Sequence, residues 1–477
     1  MPVFSSLPSV PAGGLAAAFG RPGHSDLNPG GPRRPTGHWT ALAGWFFRAI
    51  LLVLRTMYLY HGDMEPTFEQ MTVDESFFEP AIRLLRDYCR QRRDTPELSD
   101  EQFLRGGLQR VLGHCDSGRD FLQACQDRGE ALARSTWFDA LHSRRRAAMV
   151  AEVATRSYEI FERFLQPRDW LGAFPELARR AVWAVDGHHL AHACHAQRDP
   201  KGEFVSVGLL YALCLHSGLQ RTPVPFQVGG VRRNELPVFK QQLPRWLQQD
   251  RGTMLPIVVG DPAYIDVLYW SEQKRLRKAV IITREKECMK PTVIAHHAFD
   301  PQDPVNRGVE TDDMAGYAYA YLRRIVYCDP ASGERFVFLT TDDSLRPGLV
   351  ALLYLLRWKI EKSFDVFKNK LQQQKAWANG ETAARTQAHL TALTHNLLTI
   401  LLATLEQAGI SEKKVARQQA ARQDARPASH RVPAQEMVRH ATQLTCQFIR
   451  LLRHCLVYKT RWREALPLFQ CRSEAYL

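Results

Sequence analysis

At 477 residues the chain is too long for one compact core and has room for two to four domains. Its 45% hydrophobic and 24% charged residues exclude a wholly disordered or fibrous protein. A formal net charge of +13 points to a polyanionic partner, because clustered Lys and Arg displace the counterions condensed on nucleic acid.

Residues 1–60 open with Pro- and Gly-rich clusters such as Pro29-Gly30-Gly31-Pro32, which lack the periodicity a fold needs. This stretch is expected to be disordered, or an over-extended reading frame whose true start is Met57, Met64 or Met71. The apolar run Ala41 to Tyr60 contains Arg48 and Arg55, each costing about 2.5–3.5 kcal/mol near a bilayer centre, so no membrane span is expected.

From Phe77 to about Leu165 apolar residues recur at three- and four-residue steps, and residues 61–178 are expected to form an all-helical, DNA-binding domain. A helix over Ser135 to Leu141 leads into Arg144, Arg145 and Arg146, a basic end suited to phosphates or simply a solvated terminus. After Arg180 the texture changes to short strands at Val182–Val185, Phe204–Leu215 and Val224–Val228, read as an antiparallel meander. A helix from about Glu235 to Gln249 then leads into Leu255 to Gly260, a continuous apolar run typical of a buried parallel strand, and a further strand spans Lys278 to Thr283.

This order predicts an α/β fold: a ribonuclease H-like mixed sheet flanked by helices, with residues 179–289 as the first part of the core. Residues 290–345, with strands at Tyr319–Tyr327 and Arg335–Thr340, read as a β-rich insertion, and 346–410 as the second part of the core. One long helix is expected from Pro347 to Gln374, then an apolar one from Leu390 to Leu405. Residues 411–477 form a basic helical C-terminal segment, with 13 Lys and Arg against 5 Asp and Glu, and are a candidate DNA-contacting arm. The ten cysteines show no CxxC pair and read as reduced thiols of a cytoplasmic protein.

Asp186 and Asp261 both fall at the ends of predicted strands, where α/β sheets place their ligands, although an Asp before Gly187 or Pro262 is also ordinary turn chemistry. Two carboxylates there suit Mg2+ or Mn2+, hard ions that take oxygen donors. On the long helix Tyr354, Arg357, Glu361 and Lys368 project from one arc of roughly 60° when drawn at about 100° per residue. Leu353, Leu356, Ile360, Phe364, Phe367 and Leu371 form the adjoining apolar stripe. By spacing alone, Arg357 and Glu361 also fit a simple i,i+4 surface ion pair. The cluster His188, His189, His192, Cys194 and His195 fits no familiar zinc spacing.

Tyr354-x2-Arg357-x3-Glu361-x6-Lys368 matches every fixed position and gap of the Tyr-x2-Arg-x3-Glu-x6-Lys signature, so the chain resembles the insertion-sequence DDE transposases from about Trp183 to Leu405. The resemblance implies DNA cleavage at transposon ends and strand transfer into target DNA, with Asp186, Asp261 and Glu361 as catalytic and metal-binding residues for two ions. It also implies that Tyr354, Arg357 and Lys368 contact DNA. The expected partner is double-stranded DNA, both terminal inverted repeats and target, bound by a dimer assembled on the ends, and the expected location is the cytoplasm in association with the nucleoid. Family members stack a flipped base on an insertion-domain Trp; none lies between Trp270 and Trp358, leaving Tyr317 or Tyr321 for that role. A nuclease or junction resolvase on the same fold, or a domesticated DNA-binding protein, is the alternative.

Overall fold

The computed structural model describes residues 70–476 except 91, 114, 116, 131, 166–170, 172–173, 192–197, 199–201, 203–205, 230–234, 250–253, 318–319, 331 and 408–432. The expectations for residues 1–60, including the run Ala41 to Tyr60, lie outside the described residues, as do His192, Cys194 and His195. Among the described residues no helix is long and apolar enough to cross a membrane.

Five helices come first: α1 (Val73–Tyr88), α2 (Asp100–Leu112), α3 (Gly118–Asp127), α4 (Arg134–His142) and α5 (Arg144–Phe164). The first three begin in capping boxes, in which Thr72, Ser99 and Ser117 each accept from a backbone N–H three residues on while Glu75, Gln102 and Asp120 reach back. The three arginines after α4 start α5, and two of them are turned inward. Arg145 donates twice to the fully buried Asp100, at 2.6 and 2.7 Å, and Arg146 donates to Asp100 at 3.0 Å and to the Leu98 carbonyl at 2.6 Å. A buried carboxylate needs such partners, so only Arg144 remains exposed for a phosphate.

One nine-stranded sheet follows, formed by β1 (Arg180–Leu190), β2 (Ser206–Cys214), β3 (Val224–Gly229), β4 (Met254–Gly260), β5 (Val280–Arg284), β6 (Thr292–His296), β7 (Val309–Tyr317), β8 (Ala320–Cys328) and β9 (Arg335–Thr340). Its order is β3-β2-β1-β4-β5-β9-β8-β7-β6. β1, β2 and β3 form the antiparallel meander read from the sequence, β4 and β5 run parallel to β1, and β9 joins β5 antiparallel. The strands of 290–345 therefore extend the same sheet, because β9 caps the edge that β5 would otherwise leave unpaired. β1 is longer than expected: beyond Val185 it leaves β4 but stays paired to β2 through Leu190, so Asp186 lies inside the strand.

Helices α6 (Leu236–Gln249) and α7 (Val267–Arg275) connect the central strands, and α8 (Pro347–Leu356), α9 (Trp358–Lys370) and α10 (Glu381–Gln407) complete the cover. α8 packs on β4 and β5, α9 on β1 and β2, and α10 on β2, β3, α2 and α5. α8 starts with Pro347 at its first position, where no N–H is needed. Gly348 sits so close to the Val305 carbonyl that a Cβ would lie 1.7 Å from it. The expected single helix to Gln374 is interrupted: Arg357 N–H donates to Tyr354 and Ile360 N–H to Arg357, both three residues back, and the chain turns at Gln372 with φ 55°. Such 3-10-type tightening carries about 120° per residue, so a wheel drawn for one α-helix misplaces the residues beyond Arg357.

α10 is longer than the apolar stretch read for it, and its polar side chains are buried and paired. Asn396 accepts from Gln220 N–H at 2.8 Å and donates to the Gln220 carbonyl at 2.9 Å, while His389 and His395 donate to the Pro223 and Gly218 carbonyls. These bonds pin the β2–β3 loop. α11 (Pro433–Val457) and α12 (Trp462–Tyr476) close the molecule against α1: Trp462 Nε1 donates to Ser76 Oγ at 2.5 Å, and Val73 N–H to the Thr460 carbonyl at 2.9 Å. The described part of the basic C-terminal segment buries Ile449, Leu452 and Trp462 and exposes Arg450, Arg461 and Arg463.

The extended half of the sheet is tied to α8 by Arg323 on β8. It donates to Asp312 through Nε at 2.8 Å and to the Leu345 carbonyl through Nη1 at 2.7 Å, and both side chains are buried. Arg323→Met should cost about 3–5 kcal/mol by stranding Asp312 in the core, and adding Asp312→Leu should recover much of it. Urea unfolding of the single and double variants checks this; equal losses in both would show that the charge pair is not the cause.

Candidate active site

Where β1 parts from β4, at the carboxyl end of β4, two carboxylates come side by side. Val185 pairs with Gly260 across the parallel register, and the next residue on each strand is Asp186 and Asp261. Asp186 Oδ1 accepts from Gly187 N–H at 2.8 Å; Asp261 Oδ1 accepts from Ala263 N–H at 2.8 Å and caps the short 3-10 turn Pro262–Tyr264. The turn chemistry that an Asp before Pro262 implies is therefore real, and it fixes the carboxylate rather than consuming it, since each group keeps further lone pairs.

The third carboxylate in this cluster is Glu235, which sequence reasoning assigned only to the start of a helix. Oxygens of Asp186, Glu235 and Asp261 all lie within 4.8 Å of one another, the one grouping among the described residues that satisfies a metal-ligand spacing. Glu235 immediately precedes α6, and its carbonyl accepts from Phe239 N–H at 2.9 Å. Its side chain reaches the cluster because position 187 is glycine: a Cβ there would lie 1.8 Å from Glu235 Oε2. A glycine directly after a candidate catalytic Asp, with an acid at the following helix start, is the signal that marks this arrangement.

Electrostatically the cluster is under strain. Burial raises the Asp186 carboxyl to about 6, with Arg357 opposing and the Asp261 charge adding to the rise. Burial raises Glu235 to about 7, helped by the charges of Asp186 and Asp261 and opposed by the nearby Tyr264 hydroxyl. Tyr264 is fully buried against Phe239, with ring centroids 5.3 Å apart, so the floor of the site is apolar. Oxygen-only donors on three half-buried carboxylates fit a hard divalent cation.

Glu361 stands beside this group, outside the cluster of three. Its Oε1 accepts from Arg357 Nη2 at 2.7 Å, and Arg357 Nη1 lies 3.5 Å from Asp186 Oδ2. Arg357 is thus a bridge from Glu361 to the cluster, and the i,i+4 pair is present. Tyr354 backs it, with the guanidinium 5.6 Å from the ring centroid, and Tyr354 itself packs on Phe338 at 5.0 Å. Lys368 is exposed on α9. His188 is buried and stacked on Phe364 at 4.9 Å, where burial drives its imidazole down to about 4 and keeps it neutral; His189 points outward on the same strand. Of the two tyrosines considered for base stacking, Tyr317 is buried and donates to Glu285 at 2.6 Å, whereas Tyr321 is 65% exposed.

The raised Glu235 carboxyl makes a stability prediction. A group whose folded pKa is above its unfolded value contributes stability at low pH that is lost as pH rises through about 7. At pH 8 in chelator, Glu235→Gln should therefore melt a few degrees higher than the parent, and the difference should vanish below about pH 4.5. Thermal melts across that range check it; a variant less stable at pH 8 would rule the strain out.

Comparison with known proteins bears on the same segment. Among solved structures, the chain is similar to the cryo-EM structure of the piggyBac transposase synaptic complex with hairpin DNA, at 10% identity and a TM-score of 0.33, over 89% of this chain and 83% of that one. No curated protein matches the chain. Residues 179–397 match the family described as Transposase DDE domain, a span that holds Asp186, Glu235, Asp261 and Glu361.

Proposed function

We propose that this chain is a cut-and-paste DNA transposase, cleaving at transposon ends and joining the freed 3′ ends to target DNA with two divalent ions, Mg2+ or Mn2+. The observation that carries this reading is the closeness of Asp186 and Asp261, each one residue beyond the Val185–Gly260 pair of adjacent parallel strands, with Glu235 beside them, inside the segment that matches a transposase DDE domain. The strand order β3-β2-β1-β4-β5, with three antiparallel strands followed by two parallel ones, supports a ribonuclease H-like core.

Asp186, Asp261 and Glu235 would hold one ion, and Glu361 with Asp186 a second. Bound there, the ions would activate a water, and later the 3′ hydroxyl, and stabilise the leaving oxygen of an in-line phosphoryl displacement. Arg357 offers a planar fork for a phosphate, and Tyr354 holds that fork by its ring face. Lys368 lies about two turns beyond Glu361 on α9, where it would meet the backbone of the same strand. Of Tyr317 and Tyr321, the exposed Tyr321 is the one that would stack an unpaired base. The net positive charge and the outward arginines of α11 and α12 suit a protein that holds terminal repeats and target together as a dimer on DNA.

Cleavage of DNA carrying the element's own ends, in Mg2+ or Mn2+, tests the reading. Asp186→Asn, Asp261→Asn and Glu361→Gln should each lose at least about a hundredfold in cleavage, more than an outer-shell partner typically costs, while end binding persists. Cutting without joining would favour a nuclease instead; undiminished cutting by any of the three would remove that residue from the site. Lys368→Ala should weaken DNA binding and make its logarithmic salt dependence shallower by about one unit. An unchanged slope in binding titrations from low to moderate salt would argue that Lys368 makes no phosphate contact.

A further inference from the structure

The position of Arg357 bears on the order in which the site is filled. Asp186, Glu235 and Asp261 already lie within 4.8 Å of one another and need no rearrangement to surround a cation. Glu361 does not share that readiness. Its carboxylate is held at 2.7 Å by Arg357, whose other nitrogen lies 3.5 Å from Asp186, so a guanidinium sits between the two carboxylates that a second ion would have to bridge. The Arg357 side chain is only 9% exposed, and its Nε has no hydrogen-bond partner. Burial works against its charge, yet the Glu361, Tyr354 and Asp186 neighbours outweigh that and keep it protonated. A fixed positive charge and a divalent cation repel at such separation, so they exclude one another.

We propose that Arg357 acts as a gate on metal loading: the free protein takes one divalent ion at Asp186, Glu235 and Asp261, and Glu361 is released to a second only when a DNA phosphate draws the guanidinium away. This rests on the metal-dependent reading above. A phosphate offers the same bidentate acceptor geometry as the carboxylates that Arg357 now bridges, so the exchange keeps its hydrogen bonds. The tightened turn at Arg357, with its i→i−3 bonds on both sides, places the side chain at the junction of α8 and α9 rather than in the middle of a rigid helix. Linkage then makes the effects mutual: phosphate contact raises affinity for the second ion, and the second ion raises affinity for DNA. Arg357 is in this sense a positioning residue for Glu361, and the complete site is assembled only on substrate.

The test counts bound Mn2+ per full-length chain by electron paramagnetic resonance of the free ion, without catalysis. Wild type alone should bind one tight ion. Adding a short duplex DNA, with the ions held by DNA alone subtracted, should raise affinity for a second by at least tenfold. Arg357→Gln should bind two without DNA and lose the DNA effect, and Arg357→Gln with Glu361→Gln should return to one. Arg357→Lys, which keeps the charge but not the fork, should still bind one ion without DNA, and guards against a misfolded Gln variant. Two ions on wild type without DNA, no gain from duplex, or a single ion on a folded Arg357→Gln protein would each overturn the gate while leaving the metal-dependent reading standing. No Mn2+ bound by wild type, or binding unaffected by Asp261→Asn, would overturn both.

Discussion

Three carboxylates held within 4.8 Å of one another over an apolar floor repel, and that repulsion is the constraint around which this structure is organised. Among the described residues the cation that reaches the cluster is Arg357, which touches one edge of it, at Asp186, and is shared with Glu361. The strain is built in by ordinary means. The parallel β1–β4 register places Asp186 beside Asp261, the missing Cβ at Gly187 lets Glu235 come in from just before α6, and the buried Tyr264 side chain lies close to all three. A site of this kind gives up stability in the absence of a cation and recovers it on binding one, the usual relation between a prepared polar site and the fold that carries it.

The rest of the molecule supplies the stiffness this requires. The continuous apolar core runs from the N-terminal helices through the sheet to α11 and α12, so the elements that hold the site are packed from both ends of the described chain. Arg323 fastens the extended strands to the start of α8, and α10 fastens the β2–β3 loop through Asn396, His389 and His395. Arg453 on α11 donates to the Lys370 carbonyl at the end of α9 and to the Leu112 carbonyl at the end of α2, so the helix that bears Glu361 is anchored at its far end by the C-terminal helices. Several basic residues that charge counting alone would assign to a polyanion, Arg145, Arg146 and Arg453 among them, are committed to this internal bracing. The basic set left at the surface is smaller and more local.

By itself the sequence determined whatever depends on neighbours along the chain. The apolar runs of β4 and β5, the meander before them, the strands at 320–328 and 335–340 and the helices around them follow from periodicity and turn residues, and Asp186, Asp261, Arg357 and Glu361 stand out by local spacing. Tertiary structure alone decided the rest, because it depends on groups far apart in sequence. Glu235 joins the cluster through a gap left by Gly187 on another strand; the β-rich segment extends the core sheet because β5 has an open edge; the expected long helix tightens at Arg357, whose guanidinium lies between Glu361 and a strand 171 residues away. Local pattern reports which side of an element is apolar, but which charges share a pocket is settled only when the packed elements bring them within reach of one another's fields.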